Sequence, residues 1–328
     1  MSEKYRIIYD TDMDTDCDDA GAFAMLLEAH LAKKAEILGV VADSVSPHAA
    51  PCCEKIARYY GVNVPIGTVF SDNYHSTAAE EARFAEYRRH SGHCLSEGKS
   101  YNAYFAEEIG KKDKDYPSAV SVYRKLLSEA EDHSVTVLCV GMLTAIAEAL
   151  DSVPDNISPL SGVELFRKKV KCVVTMGDPH KTDDFNWAMD ACGAEQFFAL
   201  CPSPVYASAA GADVLTGGHL STVLPEEHPI RRAYEIWLGG KNRARASWDL
   251  IAALFAMQPD TPYLSCRDLG DGLYSASEKR FYKKETGGRT VKEIVLNCTP
   301  SQMAEYLDGY MLGKFDMARH SVLPIREN

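Results

Sequence analysis

The sequence is short of positive charge and of long apolar runs, and both shortages exclude classes of function. Its 328 residues contain 35 Lys and Arg against 47 Asp and Glu, a formal net charge of −12. A surface of that sign repels nucleic acids and anionic lipids, so we expect neither as a partner. No window of about 18 apolar residues occurs, which argues against a membrane span.

Targeting and zinc signals are also missing. The first residues, MSEKYRIIYD, lack the apolar core of a signal peptide, so we expect a cytoplasmic protein whose 10 cysteines are reduced thiols. No Cys-X-X-Cys pair and no Cys/His cluster has the spacing of a zinc site. The adjacent pair Cys52-Cys53 is therefore expected to pack in the interior.

The chain does contain an ordinary globular composition, 46% hydrophobic and 25% charged, arranged in alternating apolar runs and helical periods. The apolar runs predict strands over 6–10, 36–42, 64–70, 134–140, 170–176 and 203–207. Helical periodicity predicts helices over 19–33, 51–60, 118–132, 143–150 and 191–199. This alternation predicts an α/β fold with a mainly parallel, Rossmann-like central sheet flanked by helices. We expect a single domain over 1–328, in which the polar segment 71–114 is a helical excursion or a lid.

The densest chemical signal is the segment from Asp10 to Asp19, DTDMDTDCDD, which holds six acids in ten residues. Carboxylates packed this closely repel one another unless a cation neutralises some of them. The segment follows a strand and opens a helix, where Asp side chains also cap backbone amides. Oxygen ligands favour Ca²⁺ or Mg²⁺ over transition metals, so the segment predicts a site for a hard cation.

An EF-hand does not account for this segment. Its loop requires Gly at position 6 and Glu at position 12. Counted from Asp10, those positions hold Thr15 and Gly21, and the register that starts at Asp12 fails as well. The calcium-loop interpretation is therefore excluded.

A haloacid-dehalogenase-like phosphatase is a closer alternative. The string DMDT at 12–15 matches the DxDxT nucleophile signature of that superfamily, and 177–178 with Asp183 imitates its later acidic magnesium motif. However, residues 10–11 separate the nucleophile position from the strand. The pair at 18–19 is also left without a role in such an enzyme.

A third class accounts for more of the chain. A strand, Asp-Thr-Asp, a loop and then Asp-Asp-Ala at a helix start resemble the nucleoside hydrolases, the calcium-dependent N-ribohydrolase family. Further strings follow in the family's order. VGMLTA at 140–145 resembles its GPLTN turn, 176–177 its MGG element, and DFN at 184–186 its EFN element. Trp248-Asp249 stands where the family carries its last metal carboxylate, and the resemblance extends from residue 7 to about 311.

The resemblance implies a calcium site and a general base. Asp12 would bind Ca²⁺ and take the proton of the attacking water, while Asp19, Asp249 and the backbone carbonyl of Val140 would complete the protein ligands. Mg²⁺ is the less favoured ion. Cleavage of a ribose C1′–N bond passes through an oxocarbenium-like state, and a metal that lowers the pKa of water supplies its nucleophile.

The resemblance also implies a substrate subsite. Asp18 and Asp43 would hold the ribose 2′- and 3′-hydroxyls, Asp184 and Asn186 the 5′ end, and the methionine of the MGG-like element would lie against the sugar. The acidic loop is two residues longer than the commonest DxDPGxDD form, so the ribose role falls either on Asp16 or on Asp18. The residues implied to contact substrate are thus Asp16, Asp18, Asp43, Met176, Asp184, Asn186 and Trp248.

One departure from the family pattern bears on the base. In the inosine–uridine type a histidine precedes the last metal aspartate and acts as leaving-group acid. In this chain the position holds Trp248, which resembles the purine-specific type and offers an aromatic face on which the base can stack. Asp43, which replaces an asparagine of the other type, also points to purines. Asp14 stands where the family carries glycine. A partner for the tryptophan is expected among Tyr74, His75, Tyr87, His90 and His93.

The sequence therefore predicts Ca²⁺-dependent hydrolysis of purine ribonucleosides to free base and ribose, by a homodimer or homotetramer acting on a small-molecule nucleoside. The phosphatase is the enzymatic alternative. The non-enzymatic alternative is a protein of the same fold that binds a nucleoside or ribose without turnover.

Overall fold

Strands and helices alternate along most of the chain. The computed structural model describes residues 5–13, 15–44, 46–70, 100–284 and 288–315. The strands in these ranges are β1 (Tyr5–Thr11), β2 (Ala35–Ala42), β3 (Ile66–Thr68), β4 (Val135–Cys139), β5 (Val170–Met176), β6 (Val205–Ser208), β7 (Leu215–Thr216), β8 (Arg245–Ala246), β9 (Leu264–Ser275), β10 (Arg280–Lys284) and β11 (Val291–Leu296). The helices are α1 (Asp18–Leu31), α2 (Ala49–Tyr59), α3 (Tyr101–Ile109), α4 (Ala119–Glu129), α5 (Thr144–Asp151), α6 (Gly162–Lys169), α7 (Phe185–Met189), α8 (Ala191–Leu200), α9 (Leu220–Val223), α10 (Pro229–Leu238), α11 (Trp248–Met257) and α12 (Pro300–Met311).

Within these ranges the main sheet has nine strands in the order β10-β9-β11-β6-β5-β4-β1-β2-β3. Strands β1 to β6 and β11 run parallel, and the two antiparallel pairings are those of β9 with β10 and with β11. The order 3-2-1-4-5-6 is that of the dinucleotide-binding α/β folds. The mainly parallel, Rossmann-like sheet predicted from the sequence is therefore confirmed.

Strand β1 shows why the sheet is covered on both faces. Ile7 and Tyr9 pack into one hydrophobic core, while Ile8, which points the opposite way, packs into the other. A strand with apolar residues on both faces is stable only between two layers of helices, which explains its uninterrupted apolar run.

Register places three strand ends at one level. Asp10 of β1 pairs with Val41 of β2 and with Cys139 of β4, so the chain leaves all three strands at the same edge. The order of the strands reverses between β1 and β4, and ligands of such sheets bind in the crevice that this reversal opens. The acidic segment follows β1 into that crevice.

The C-terminal strands are a feature that the apolar pattern did not predict. Strand β9 exposes all of residues 265–268, and its partner β10 exposes four of its five positions, so neither shows a long apolar run. Strand β3 is also shorter than the predicted 64–70. Of the segment 71–114, residues 71–99 lie outside the described ranges, and the rest holds α3 and a 3-10 turn at Asp113–Asp115. Among the described helices, none is both long and apolar enough to cross a membrane.

Candidate active site

The acidic segment turns sharply after β1 and then begins α1. The backbone N–H of Thr15 donates to the carbonyl of Asp12 at 3.0 Å, which closes the turn before the helix starts at Asp18. Gly141, just after β4, lies against this turn, and a Cβ there would be 2.5 Å from the backbone nitrogen of Asp12. A glycine is therefore needed for the end of β4 to approach the acidic segment.

Three buried carboxylates meet beside this turn. Oxygens of Asp18, Asp19 and Asp249 all lie within 4.8 Å of one another. The last of these belongs to α11, which packs on α1, and its backbone N–H donates to Asp18 Oδ2 at 3.2 Å. Thr11 Oγ1 donates to Asp19 Oδ1 at 2.5 Å and fixes that side chain. This arrangement brings together residues that are 231 positions apart in the chain.

Among the described residues that line the cavity, Asp12 and Asp19 each have one buried oxygen, Oδ2, without a hydrogen-bond partner. The two residues are 2% and 1% exposed. A buried charged oxygen without a partner is costly, and a bound cation removes that cost. The donor set of carboxylate oxygens fits a hard divalent cation such as Ca²⁺ or Mg²⁺.

The composition of the cluster differs in one respect from the predicted ligand set. The predicted carboxylates are those of Asp12, Asp19 and Asp249, whereas the group that meets within 4.8 Å among the described residues contains Asp18 in place of Asp12. Asp12 still lines the same cavity and keeps its unpartnered oxygen. The predicted carbonyl of Val140 also lines the cavity and accepts a hydrogen bond from Asn186 Nδ2 at 2.6 Å.

Burial dominates the electrostatics of the cluster. Loss of solvent is the main cause that raises the pKa of Asp12 to about 8, and repulsion from the nearby Asp43 and Asp18 contributes to this rise. Burial, followed by repulsion from neighbouring carboxylates, also holds the pKa of Asp18, Asp19 and Asp249 well above the ordinary range. Carboxylates in such a group remain ionised together only when positive charge is supplied.

The cluster forms one wall of a cavity of about 490 Å³, a volume within the range of roughly 300–1,000 Å³ that is usual for small-molecule sites. Ten of the eleven site residues predicted from the sequence line it: Asp12, Asp16, Asp18, Asp19, Val140, Met176, Asp184, Asn186, Trp248 and Asp249. The eleventh, Asp43, is fully buried outside the lining, and its Oδ2 accepts the backbone N–H of Ala145 at 2.8 Å. That contact lies in the first turn of α5, so this side chain satisfies a helix terminus.

The segment after β5 supplies a second wall. Asp184 caps α7: its Oδ1 accepts from the Trp187 N–H at 3.4 Å and its Oδ2 from the Asp178 N–H at 3.2 Å. Asn186, in the first turn of α7, donates from Nδ2 to the Val140 carbonyl and, at 3.1 Å, to Met176 Sδ. These contacts hold an amide and a carboxylate at the cavity surface in fixed orientations.

The third wall is aromatic and cationic. Trp248 begins α11, and Trp237 reaches the cavity from α10. Gly211, at φ 144°, packs so tightly against the start of α11 that a Cβ would lie 2.6 Å from the Trp248 backbone. Arg245 of β8 places its guanidinium carbon 5.2 Å from the centroid of the Trp248 ring.

Arg245 also binds one acid of the acidic segment. Its Nε donates to Asp16 Oδ1 at 3.0 Å and to Oδ2 at 2.8 Å, and its Nη2 donates to Oδ2 as well. Asp18, by contrast, lies in the buried carboxylate group. The two acids between which the sequence could not choose thus have different surroundings, one in an ion pair and the other in the cluster.

Several lining residues carried no recognisable signal in the sequence: Trp237, Arg245, Thr15, Lys181 and Phe185. Thr15 and Phe185 stand inside the acidic segment and the DFN string but were given no role there, whereas Lys181, Trp237 and Arg245 lie outside the quoted motifs. Asp14 and the five aromatic candidates Tyr74, His75, Tyr87, His90 and His93 lie outside the described residues.

Comparison with solved structures supports the same fold. A plant nucleoside hydrolase, the PpNRh1 enzyme, matches with 14% identity and a TM-score of 0.61, covering 94% of this chain and 98% of that one. A purine-preferring ribonucleoside hydrolase from Gardnerella vaginalis matches with 15% identity and a TM-score of 0.62 over the same shares. The type III effector protein XopQ, solved with adenosine diphosphate ribose, matches with 12% identity and a TM-score of 0.66, covering 96% and 94%.

Comparison at the level of sequence is more specific. No curated protein matches the chain significantly. The profile of the family described as inosine-uridine preferring nucleoside hydrolase, however, matches residues 7–273, which include the acidic segment, the Asp184 loop and the Trp248-Asp249 pair. The protein therefore belongs to the inosine-uridine preferring nucleoside hydrolase family.

Proposed function

We propose that the protein hydrolyses the N-glycosidic bond of purine ribonucleosides in a Ca²⁺-dependent reaction, giving free base and ribose. Family membership supports hydrolysis of ribonucleosides. The observation that carries the proposal is the pair of buried, unpartnered oxygens of Asp12 and Asp19 in the wall of a cavity large enough for a nucleoside. They are a costly arrangement in a protein without a bound cation and an appropriate one for a metal-dependent hydrolase.

The chain's own residues account for the remaining parts of the reaction. Ca²⁺, when bound by Asp12, Asp19, Asp249 and the Val140 carbonyl, would lower the pKa of a bound water and position the ribose hydroxyls. Asp12 would accept the proton of the attacking water as the water oxygen forms the bond to C1′, and the electron pair of the C1′–N bond leaves with the base. Asp18 accepts hydrogen bonds from the ribose hydroxyls.

Asp18 suits the ribose role better than Asp16 does. Its carboxylate lies within 4.8 Å of those of Asp19 and Asp249, two of the proposed metal ligands, where hydroxyls that share the metal would be within reach. The carboxylate of Asp16 already receives a bidentate contact from Arg245. Asp184 and Asn186 on the opposite segment are proposed to bind the 5′ end, with Met176 against the sugar. Asp43 would act on ribose only through α5, whose N–H it binds.

Preference for purines is supported by the aromatic wall. Trp248 and Trp237 both line the cavity, and a purine offers a larger face for stacking than a pyrimidine does. The Gardnerella vaginalis enzyme of the same fold is itself described as purine-preferring. We further propose that the protein acts in the cytoplasm as a homodimer or homotetramer, which light scattering of the purified protein would test.

The experiment that tests the function follows ribose release. Inosine incubated with the protein and Ca²⁺ should yield reducing sugar without added phosphate, EDTA should stop the release, and p-nitrophenyl phosphate with Mg²⁺ should give no product. Phosphate release without ribose from any nucleoside would instead establish the phosphatase. Saturable binding of nucleoside with no product in either assay would establish the binding protein.

A further inference from the structure

The cavity contains a cation that the proposed metal chemistry does not use. Arg245 lies in β8, three residues before Trp248, and lines the cavity together with it. Its side chain is 35% exposed, and that of its partner Asp16 is 15% exposed. The guanidinium thus sits partly shielded from water at the aromatic wall, where the base of a nucleoside is proposed to stack.

Part of this guanidinium remains available to a ligand. Asp16 engages Nε and Nη2, and no described residue accepts a hydrogen bond from Nη1. The bidentate contact also fixes the plane of the group, so the remaining donors have a defined direction. An arginine offers donors only, and therefore it discriminates between ligands by their acceptors.

Purine bases differ in the acceptors that they present to such a group. Guanine, and hypoxanthine with the same edge, carry acceptors at both O6 and N7, whereas adenine carries an acceptor at N7 but an amino donor at position 6. Arginine paired with O6 and N7 is the commonest specific contact to a base in protein–DNA complexes for this reason. When the 6-amino group of adenine faces a guanidinium, two donors meet and neither has an acceptor.

We propose that Arg245 selects the 6-oxopurine ribonucleosides inosine and guanosine over adenosine and stabilises the departing base. This selectivity rests on the proposed function. As the C1′–N9 bond breaks, its electron pair passes to the base, whose negative charge spreads to N7 and O6. The guanidinium donates hydrogen bonds to these acceptors without transferring a proton. Water supplies the oxygen bonded to C1′, its proton goes to Asp12, and the base then takes up a proton from solvent.

Asp16 is a positioning residue in this arrangement. It accepts the hydrogen bonds that hold the guanidinium beside Trp248 and touches neither the sugar nor the base itself. Asp16 is held in turn at its backbone, where Tyr101 Oη donates to its carbonyl at 2.6 Å, and at its side chain, where the Cys17 N–H donates to Oδ1 at 2.6 Å. The direction of the guanidinium is therefore built into the loop that follows β1.

The test compares kcat/KM for inosine, guanosine, adenosine and p-nitrophenyl riboside in the Ca²⁺-loaded protein. The wild type should prefer inosine and guanosine over adenosine by about 5- to 150-fold, the range for one bidentate pair. Arg245→Gln should lose most of that preference and affect p-nitrophenyl riboside far less, because its leaving group departs readily as an anion. Arg245→Lys, which keeps the positive charge but not the two parallel N–H donors, should retain only part of the preference. Arg243→Gln, an exposed arginine two residues earlier, is the matched control and should leave the ratios unchanged.

Two results would overturn the proposal. The first is a wild-type protein that prefers adenosine or does not discriminate among the purine nucleosides. The second is an equal decrease in kcat/KM for all four substrates in the Arg245 variants, because that pattern is expected of a structural ion pair. Failure of the proposed function is a separate outcome. If no substrate is turned over, calorimetric binding of hypoxanthine and adenine replaces kinetics. Tighter binding of hypoxanthine that is lost in Arg245→Gln still supports the selectivity, and equal binding of the two bases refutes it.

Discussion

Substitution of Asp12 by Asn should make the metal-free protein more stable and the enzyme much slower. The side chain is 2% exposed and its Oδ2 has no described partner, so its charge is poorly solvated in the fold. A pKa raised from 3.8 to about 8 corresponds to a penalty on the order of 4 kcal/mol at pH 7. Asparagine has the same shape and carries no charge, and therefore it removes most of that penalty.

The sign of the pH dependence follows from the same shift. Because the folded pKa lies above the unfolded value, the folded protein holds the proton between about pH 4 and 8 while the unfolded chain releases it. Stability of the EDTA-treated wild type should therefore fall as the pH rises through this window. In Asp12→Asn that fall should be shallower, and the free energy of unfolding at pH 7 should be about 1 to 4 kcal/mol higher.

Urea unfolding in EDTA at several pH values measures the stability, and ribose release from inosine with Ca²⁺ measures the activity. We expect kcat to fall by about 10²- to 10⁴-fold, the contribution of one general base. Asp113→Asn is the matched control. Burial raises the pKa of Asp113 to about 7, but its oxygens accept from the Ala50 N–H and from Thr68 Oγ1, and it does not line the cavity. This control should lower stability and leave kcat unchanged.

An Asp12→Asn protein that keeps near-wild-type kcat would show that Asp12 is not the base. A clear loss of stability of this variant in EDTA would show that the Asp12 carboxylate is a structural group whose hydrogen bonds are satisfied. A free energy of unfolding in EDTA that does not change between pH 4 and 8 would show that these acids are hydrated in the metal-free protein.

Further predictions concern the metal, the aromatic wall and the turn. Ca²⁺ at about 100 times its Kd should raise the free energy of unfolding by about 2.7 kcal/mol, and a larger effect of Mg²⁺ in calorimetry would contradict the assignment of the ion. Trp248→Ala should lower kcat/KM for inosine by about 5- to 150-fold, as expected for a lost stacking contact of about 1–3 kcal/mol, and leave kcat/KM for p-nitrophenyl riboside nearly unchanged. An equal decrease for both substrates would indicate a structural role of Trp248 in holding Asp249. Gly141→Ala should displace Asp12 and cost about 1–3 kcal/mol of stability along with activity, whereas Gly288→Ala, with open space at its Cβ, should change neither.

The parts of the site that could be predicted are those encoded over short distances. The acidic segment after β1 carries its chemistry within ten residues, and the parallel α/β fold places such a segment at the ligand-binding edge. Asp184, Asn186 and Trp248 were located through short strings that follow strands or begin helices. Each is found in the cavity wall because local helix starts and strand ends determine where those side chains lie.

The unpredicted parts depend on contacts between distant segments. Arg245 and Asp16 are 229 positions apart, and nothing in either neighbourhood indicates the other. Strand-end acids present a related difficulty, because a carboxylate after a parallel strand can face the crevice or bind a helix N-terminus. Asp12 and Asp43 follow neighbouring strands at the same level, yet the first lines the cavity and the second binds the N–H of Ala145. The start of α5 beside Asp43 distinguishes them, because it offers that carboxylate a backbone N–H.

The longer acidic loop and the arginine at the aromatic wall are physically linked. The two residues by which this loop exceeds the commoner form give it an additional acid, and the structure pairs Asp16 with Arg245. Without that acid, the guanidinium beside Trp248 would have no described anionic partner and no fixed plane. A donor-only group held in this way can replace the missing leaving-group histidine only by hydrogen bonding, since a guanidinium does not release its proton near neutral pH. A histidine acid would make kcat for inosine fall as the pH rises from about 6 to 8, and this fall should therefore be absent here. A loss of kcat that follows the titration of a single group in that interval would show that another residue donates the proton.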